Sequence, residues 1–388
     1  MRKAGKQAAD KQLLAQVKQA VCMYMQAAFV RNVKGWHFPE RMKEADRERL
    51  GAQLVKQVRR VVPDFEDVRD LEDMEDWEVV AEMAHLTPVE CRRAGYHLLY
   101  LPRLIGGFYC FCEVMSANHL TFTLTGRFLD IDEALLLQAV TELQQMVDAV
   151  GREVDFAWSE RLGFQTTQLS LVGTGFRLRA WMHLAGLMHF GHLHELYNAV
   201  TFRELDLDVE GVGPNIPVQM PMNVPGNIYI LFNRKTLGQS VEACTCDFCS
   251  ALAMIEAQER LARRRLKFDE PFILLDIVRR MKAALNAGLM MGAEEARDCL
   301  SDFYLAWSID AILPRIALEA VPAAAEAMDM TADGLFQRSF MPRVAMSHDF
   351  PPAVDSFEPW MRDAARIIWI RENFMFSISK NLERRAAR

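Results

Sequence analysis

The sequence predicts an α+β domain followed by an all-helical C-terminal domain, and two observations indicate this. Up to about residue 234, short β-branched or aromatic runs bounded by turn residues are interspersed with segments of helical periodicity. From Ser240 onward the strand pattern stops, and apolar residues recur at three-to-four spacing. We therefore expect strands and helices in the first part of the chain and only helices in the second part.

The elements follow in order along the chain. Residues 1 to about 20 are predicted as a polar helix, and VCMYMQAAFVRNVKGWHFP as a strand that leads into a Gly-Trp turn. The other predicted strands are 95–102, 107–115, 119–127, 153–158 and 226–234. The predicted helices are 41–62, 132–151, 241–265, 271–287, 293–309, 312–328 and 357–380. Residues 211–227, with four prolines, are predicted as a loop, and 341–359 as a connection.

The composition favours a globular protein with a large core. The chain has 388 residues, of which 51% are hydrophobic and 25% charged, and a net charge of −7, which argues against nucleic acid as a partner. It has no apolar stretch of about 18 residues, and its first residues lack the features of a signal peptide. Eight irregularly placed cysteines fit a reducing compartment. We expect a cytoplasmic protein without membrane contact.

Cys244, Cys246 and Cys249 could in principle bind zinc, since the last two have CxxC spacing. The only candidates for the remaining ligands lie in the HFGHLH segment, at His189, His192 and His194. The preferred interpretation is different, because Ser240 to Arg265 has the pattern of one amphipathic helix in which such cysteines are small packing residues. We expect no metal site and assign the histidines to surface and turn positions.

A Gly-x-Gly turn is the most informative local feature. Gly173, Thr174 and Gly175 are followed by Arg177 and an apolar run that includes His183. This segment resembles the catalytic centre of the phosphagen (ATP:guanido) kinases, and in particular the bacterial protein-arginine kinases. The resemblance implies a phosphagen-kinase or glutamine-synthetase-like domain, with an antiparallel sheet flanked by helices, over residues 1–262, and a helical domain over 263–388. The resemblance also implies that residues 173–175 and Arg177 are the remnant of a nucleotide site. The alternative is a turn that only closes the sheet.

The residues that carry the chemistry in this family differ here. Gln168 and Leu169 stand where the resemblance places a cysteine and a proline. FVRNVKGWHFPERM resembles the family's opening strand and turn, and counting back from its Arg-Asn pair puts the two phosphate-binding arginines at Gln26 and Ala28. The expected thiol and two of the expected cations are therefore missing.

MSANHLT resembles the family's NEEDHxR block, anchored on His119. Ser116 and Ala117 stand at the two glutamates, and Thr121 stands at the arginine. GNIYILFNRKTLGQS matches a later family block, but a proline-rich segment replaces the loop before it, and Glu210 lies about where another arginine belongs. Each charge-assisted hydrogen bond to phosphate contributes roughly 1.5–3 kcal/mol, so the loss of four arginines removes on the order of 6–12 kcal/mol.

Acidic residues close in sequence could replace the missing carboxylates. Asp130, Asp132 and Glu133 lie beyond the strand, at the start of the next predicted helix, where N-capping is the simpler interpretation. An active kinase with a rewired site, using Arg177, Lys235 and His119 with unidentified acids, stays open as the alternative.

The helical part resembles the C-terminal domain of the protein-arginine kinases. FILLDIVRRMKAALNAGLMMGAEEARDCLSDFYLAWSIDAI has its pattern of acidic and apolar residues, and MRDAARIIWIRE resembles the RDxxRA helix with which the family binds phosphoarginine. Arg362 and Arg366, four residues apart, would hold a phosphoryl group, and Asp363 would bind the guanidinium. The alternative is a solvated helix in which these residues pair with Glu358 or Glu372.

The sequence therefore predicts a degenerate protein-arginine kinase, inactive or nearly so, that acts as a phosphoarginine-binding or adaptor protein. The expected partner is a phosphoarginine-bearing protein or an adaptor or activator protein, and the expected assembly is a homodimer. The sequence identifies no certain cofactor, and weak Mg-ATP binding stays open. A third interpretation is a structural partner of a zinc-binding activator with neither site occupied.

Overall fold

A computed structural model of the chain describes residues 20–67, 94–126, 132–209, 225–314, 367, 370 and 376–387. Its largest element is an eight-stranded sheet of order β2-β3-β4-β5-β1-β8-β10-β9, in which every described pairing is antiparallel. These strands are β1 (Cys22–Arg31), β2 (Glu66–Asp67), β3 (His97–Ile105), β4 (Phe108–Val114), β5 (Leu120–Gly126), β8 (Phe176–His183), β9 (Leu205–Val209) and β10 (Ile228–Asn233). Two strands of two residues each, β6 (Trp158–Ser159) and β7 (Gly163–Phe164), form a hairpin that lies between β5 and β8 in sequence.

Helices make up the rest of the described fold. They are α1 (Glu44–Val61), α2 (Glu133–Val150), α3 (Ala185–His189), α4 (Leu193–Thr201), α5 (Val241–Phe268), α6 (Pro271–Ala287), α7 (Ala293–Ser308) and α8 (Lys380–Ala386). Two short strands, β11 (Ile312–Pro314) and β12 (Phe376–Ile378), pair with each other. The mixed α+β fold with an antiparallel sheet is thereby confirmed.

Strand alternation gives the sheet two different faces. On one face, Phe29, Phe122 and Leu178 belong to a large apolar cluster together with side chains of α1, α2 and α5. The opposite face contributes Tyr24 and Trp181 to a second apolar cluster, built mainly from α6 and α7. The second cluster covers only one end of that opposite face, so the polar residues farther along β1, β5 and β8 lie beyond it.

Several predicted elements are confirmed and others are wrong. The predicted helices 41–62, 132–151, 241–265, 271–287 and 293–309 match α1, α2, α5, α6 and α7. The predicted strand 153–158 is wrong except at its last residue, because residues 152–154 continue as turns that donate to carbonyls at the end of α2. Strand β8, the centre of the sheet, was not predicted as a strand, nor was β9.

The prediction of an all-helical C-terminal domain is also wrong. Ile312–Pro314, expected to begin a helix, forms β11 and pairs with β12, which lies inside another predicted helix. Proline has no N–H and does not fit a helix interior, so Pro314 disfavours the predicted helix at this point. The pairing joins residues far apart in sequence, and local periodicity carries no information about such a contact.

Some predictions fall outside the described residues. These are the polar helix at 1–20, most of the loop at 211–227, the connection at 341–359 and most of the predicted helices 312–328 and 357–380. The proposed boundary between 262 and 263 falls inside α5, which is one continuous helix, and that division stays a prediction. Within the described part of the chain, no helix is both long and apolar enough to cross a membrane.

Candidate functional site

The Gly-x-Gly turn lies immediately before β8 and fits tightly between two other segments. A Cβ atom on Gly173 would lie 2.8 Å from Leu237 Cα, and one on Gly175 would lie 2.6 Å from the carbonyl oxygen of Val30. Both glycines also have positive φ, 125° and 64°, which side chains other than glycine adopt at a cost. The two glycines are therefore required by the packing of this turn, whatever the turn binds.

Most of the backbone N–H groups of this turn are already used. Gly173 N–H donates to the carbonyl of Phe164 (3.3 Å), and Gly175 N–H donates to the carbonyl of Leu171 (3.0 Å). A phosphate cradle needs several N–H groups that point at the ligand. Two of the three N–H groups between 173 and 175 instead support the chain, which favours a structural role for this turn.

Arg31, at the end of β1, holds the same turn in place. Its Nη1 donates to the carbonyls of Val30 (2.8 Å) and Thr174 (2.9 Å), and its guanidinium lies 3.7 Å from the ring centroid of Phe164. Burial lowers the pKa of Arg31 to about 10. Arg31 therefore acts as a buried clamp between β1, the β6–β7 hairpin and the turn.

A second support lies in the loop between β4 and β5. We call Asn32, Asn118, His119 and Thr167 the loop network. Asn118 Oδ1 accepts from Asn32 Nδ2 (2.8 Å) and from the backbone N–H of Thr167 (3.1 Å), and Asn32 Oδ1 accepts from the N–H of His119 (3.0 Å). This network ties the loop to the end of β1 and to the segment before the Gly-x-Gly turn.

His119 completes the loop network as a neutral acceptor. The N–H of Val33 donates to His119 Nδ1 (3.1 Å), and His119 Nε2 lies 3.4 Å from Met42 Sδ. Burial lowers the pKa of His119 to about 4. The ring therefore holds the backbone, and it is a poor candidate for a cation that would bind phosphate.

The loop places side chains without catalytic groups at its surface. Ser116 is partly exposed and Ala117 is exposed, while Gln168 is exposed on the facing segment. Leu169, next to Gln168, is 89% exposed. The residues predicted to replace the glutamates and the cysteine therefore lie in two loops joined through Asn118, and none of them carries a carboxylate or a thiol.

The polar face of the sheet brings together the other positions of interest. We call Gln26, Ala28, Thr123, Thr125, Arg177 and Arg179 the sheet floor. In the strand register, Ala28 lies between Thr123 and Arg177, and Gln26 lies between Thr125 and Arg179. Thr121 faces Val30 on the same side, one step along β5. The positions that the resemblance gives to arginines therefore share one face of the sheet with Arg177, and Ala28 is paired with it directly.

Arg177 is the cation that the sequence analysis placed in this site. Burial lowers its pKa, and the carboxylate of Glu113 on β4 opposes that shift. Its Nε atom is buried and has no hydrogen-bond partner among the described residues. Glu113 lies on the same face of the sheet, because it pairs with Thr121 in the register between β4 and β5.

Arg179 is a residue that the sequence analysis missed. It lies two positions after Arg177, directly across from Gln26, where the resemblance places a lost arginine. The missed signal was strand alternation: once residues 176–183 are taken as a strand, Arg177 and Arg179 must share a face. The site therefore contains one more positive charge than the sequence analysis expected.

The far end of β8 is tied to the helices through a buried ion pair. Arg263 Nε donates to Glu259 Oε1 (2.7 Å), and Arg263 Nη2 donates to His183 Nδ1 (3.0 Å). His183 Nε2 and Ser301 Oγ are 2.8 Å apart. Burial and then Arg263 lower the pKa of His183, so this histidine is neutral and structural.

The remaining candidates occupy ordinary structural positions. Asp132 caps α2 by accepting from the N–H groups of Ala134 and Leu135, as predicted, whereas Asp130 lies outside the described residues. Lys235 is exposed after β10. The three cysteines lie on α5, and His189, His192 and His194 lie next to Glu270, Glu195 and Asn198. In the described ranges, no group of three or more metal-binding side chains is arranged to hold an ion.

The predicted phosphoarginine motif cannot be placed. Arg362, Asp363 and Arg366 lie outside the described residues, as does Glu210. The nearest described positions are Ile367 and Ile370, which are buried in the second apolar cluster.

Comparison with known proteins supports the relationship that the fold and site indicate. Residues 130–262 match the model of the C-terminal catalytic domain of the ATP:guanido phosphotransferases. The chain is 26% identical over 281 residues to a protein-arginine kinase of Bacillus cereus (strain AH820), an alignment covering 71% of this chain and 75% of that protein. A protein-arginine kinase of Bacillus anthracis (strain A0248) matches with the same identity and coverage.

Two solved structures superpose on part of the chain. Lombricine kinase superposes with a TM-score of 0.47 at 12% identity, covering 64% of this chain and 68% of that chain. The duplicated taurocyamine kinase of Schistosoma mansoni superposes with a TM-score of 0.46 at 15% identity, covering 62% of this chain and 32% of that chain. This chain therefore spans about a third of the duplicated kinase.

These matches relate the chain to the ATP:guanido phosphotransferases, whose catalytic-domain model matches residues 130–262. Its similarity to the curated protein-arginine kinases is 26% identity.

Proposed function

We propose that this chain is a protein-arginine-kinase-like protein that does not transfer phosphoryl groups and acts as a phosphoarginine-binding or adaptor protein. One observation carries the proposal. Gln26, Ala28 and Thr121, none of which is charged, lie on the same face of the sheet as Arg177, where the resemblance expects arginines. Phosphoryl transfer depends almost entirely on positioning and on cations aimed at the transferring oxygens.

The loop residues support the same conclusion. Ser116 and Ala117 occupy the positions that the resemblance gives to glutamates, and Gln168 occupies that of a cysteine. A guanidinium acceptor must be aligned and deprotonated, and general-base assistance contributes about a hundredfold to ten-thousandfold in rate. None of these three side chains can accept that proton, although the loops that carry them are held by the loop network.

The test is a transfer assay with radiolabelled ATP and an arginine-rich protein, with an active protein-arginine kinase as positive control. We expect no acid-labile label on the substrate or on the chain itself. Acid-labile label above the no-enzyme background would overturn the proposal.

The binding part of the proposal requires its own test. Arg362 and Arg366 would hold the phosphoryl group of phosphoarginine, and Asp363 its guanidinium. We expect titration with phosphoarginine to give saturable binding that is lost in the double variant Arg362→Ala, Arg366→Ala and kept in Arg264→Ala, an exposed arginine on α5. Equal affinity in the double variant and the parent would contradict a reader site at this motif.

A second candidate function, an active kinase with a rewired site, is favoured by two residues. Arg179 adds a cation to the sheet floor, and Glu113 places a carboxylate near Arg177. If these residues replace the family's set, the transfer assay gives a signal that Glu113→Gln and Arg179→Ala each reduce. The same assay therefore separates the two functions.

A further inference from the structure

A concave pocket lies at the end of β1, outside the sheet floor. Its volume is about 380 Å³, and it is lined by residues 32–38, by Arg41 and, from the β6–β7 hairpin and the residues beside it, by Ala157, Trp158 and Gln165. No residue of the sheet floor is among these lining residues. Small-molecule sites in proteins are concave and occupy roughly 300–1,000 Å³. The pocket is therefore large enough for a small ligand that does not touch the floor.

Hydrogen bonds to backbone atoms join the two walls of this pocket. The N–H of Ala157 donates to the carbonyl of Asn32 (2.7 Å), and the N–H of Lys34 donates to the carbonyl of Asp155 (2.9 Å). The side-chain amide of Asn32 donates to the carbonyl of Gln165 (3.0 Å). The walls are therefore fixed to each other in the free protein, so that a ligand does not have to order them on binding.

Two tryptophans give the pocket its aromatic surface. The guanidinium of Arg49 lies over the ring of Trp36, 5.3 Å from the ring centroid. Trp158 is 55% exposed, and no aromatic ring or cation of the described ranges lies over it. Tryptophan is enriched among the residues that dominate binding energy, because its large flat ring stacks on other flat groups. The ring of Trp158 is therefore available to a flat apolar ligand.

The charged side chains at the pocket are basic. Lys34, His37 and Arg41 line it, whereas no acidic residue of the described part of the chain does. Lys34 has an exposed partner in Asp155, with 3.6 Å between Nζ and Oδ2. Arg41 is exposed, and its guanidinium has no hydrogen bond or ion pair with another described residue. It is one unpaired fork of donors, which matches the two oxygens of a single carboxylate.

We propose that this pocket binds a small aromatic carboxylate, with the ring on Trp158 and the carboxylate on Arg41. One unpaired arginine balances one negative charge, whereas a nucleotide phosphate brings about two and requires further cations. The inference is independent of the proposed function, because no residue assigned above to phosphoryl transfer or phosphoarginine binding lines the pocket. A free aromatic acid and the C-terminal aromatic residue of a peptide present the same chemistry.

Isothermal titration of the full chain tests the pocket, with naphthylacetate as the probe. We expect saturable binding of naphthylacetate. Its neutral amide, naphthylacetamide, and acetate, which lacks the ring, should each bind at least about tenfold more weakly. N-acetyltryptophan carries its ring and carboxylate as a peptide C-terminus does. Tighter binding of N-acetyltryptophan than of naphthylacetate identifies a peptide end as the source, and the reverse order identifies a free acid.

Variants of the two exposed side chains separate the charged contact from the stacking contact. Arg41→Ala should weaken naphthylacetate binding about tenfold or more and leave the weak binding of naphthylacetamide unchanged, because only the charged contact is lost. Trp158→Ala should weaken the binding of both about fivefold or more, and Trp158→Phe should keep most of the affinity, because it keeps a ring. The matched controls are Leu162→Ala, 45% exposed on the same hairpin, and Arg264→Ala, and neither should change binding.

The inference would be overturned if neither naphthylacetate nor N-acetyltryptophan bound the parent chain saturably. Equal binding by Arg41→Ala and the parent, or by Trp158→Ala and the parent, would also overturn it, because the ligand would then lie elsewhere. Titration with AMP completes the comparison. AMP binding that is tighter than that of naphthylacetate and is weakened by Arg41→Ala would contradict a carboxylate site. The transfer assay tests the proposed function alone, and its result does not bear on this pocket.

Discussion

The loop network and the sheet floor lie in the same region of the molecule but differ in how their polar atoms are satisfied. Asn118 Oδ1 accepts three hydrogen bonds, from Asn32 Nδ2 and from both the N–H and the hydroxyl of Thr167. In the floor, the hydroxyls of Thr123 and Thr125 have no partner among the described residues. The first region supports the backbone through satisfied hydrogen bonds, and the second holds buried hydroxyls that have no partner among the described residues.

The difference follows a distinction that the resemblance makes between residues that match the protein-arginine kinases and residues that do not. The shared residues Arg31, His119 and Gly175 hold strands and loops together through buried contacts. The positions that differ, such as Ala28 and Ala117, would face a ligand. Under the proposed function, the framework that positions a site remains while the chemistry of the site changes.

The largest loss of folding stability is expected at the buried ion pair between Arg263 and Glu259. Arg263→Ala leaves Glu259 as an uncompensated buried carboxylate and removes the hydrogen bond to His183. We expect the free energy of unfolding to fall by about 3–5 kcal/mol, measured by urea denaturation.

The matched control for this variant is Arg280→Ala, whose arginine forms an exposed ion pair with Asp276 at the same i,i+4 spacing. That change should cost less than about 1 kcal/mol. Similar losses in the two variants would show that the buried pair is not a principal support of β8.

The loop network should give a smaller, pH-dependent effect. The pKa of His119 is about 4 in the folded chain against a usual 6.5, so the unfolded chain binds more protons between these values. Stability is therefore lost as the pH falls from about 6.5 to about 4, by on the order of 3 kcal/mol.

The pH profile of stability should be compared between the parent and His119→Asn, a variant that keeps an acceptor near Val33 and removes the titrating group. Other groups act in the opposite direction, since burial and then Asp298 raise the pKa of Asp302 to about 7. The difference between the pH profiles of parent and variant isolates His119. Parallel profiles would contradict the assignment of a neutral His119 to the loop network.

The smallest effect, with the opposite sign, is expected in the floor. The double variant Thr123→Val, Thr125→Val replaces two unsatisfied hydroxyls by methyl groups of similar shape. Without added anion we expect the free energy of unfolding, measured by urea denaturation, to be unchanged or about 1 kcal/mol higher, because no hydrogen bond is lost. A loss of stability in phosphate-free buffer would show that these hydroxyls are already satisfied within the protein.

Much of this fold could be predicted from local patterns. The helix at 271–287 and the strand around Leu120–Gly126 follow from their periodicity and turn residues. Strand β8 was missed because its sequence, FRLRAWMH, lacks β-branched residues and was interpreted through its motif. The pairing of β11 with β12 depends on a contact between residues that are distant in sequence.

The candidate site could be predicted only in part, for a related reason. Gln26, Ala28 and Thr121 were found by counting along a motif, and the register confirms that Ala28 is paired with Arg177. Arg179 and the orphaned hydroxyls of Thr123 and Thr125 could not be found that way, because their significance depends on which strands are neighbours. Burial without a partner is a property of the folded sheet and has no local signature.

The proposed loss of phosphoryl transfer depends on a lack of cations for a nucleoside triphosphate on this face of the sheet, and titration of the parent chain with Mg-ATP measures that lack. We predict no saturable binding at concentrations that saturate an active protein-arginine kinase. A magnesium-dependent Kd in the micromolar range would show the opposite, that Arg177 and Arg179, with other groups, already neutralise a triphosphate.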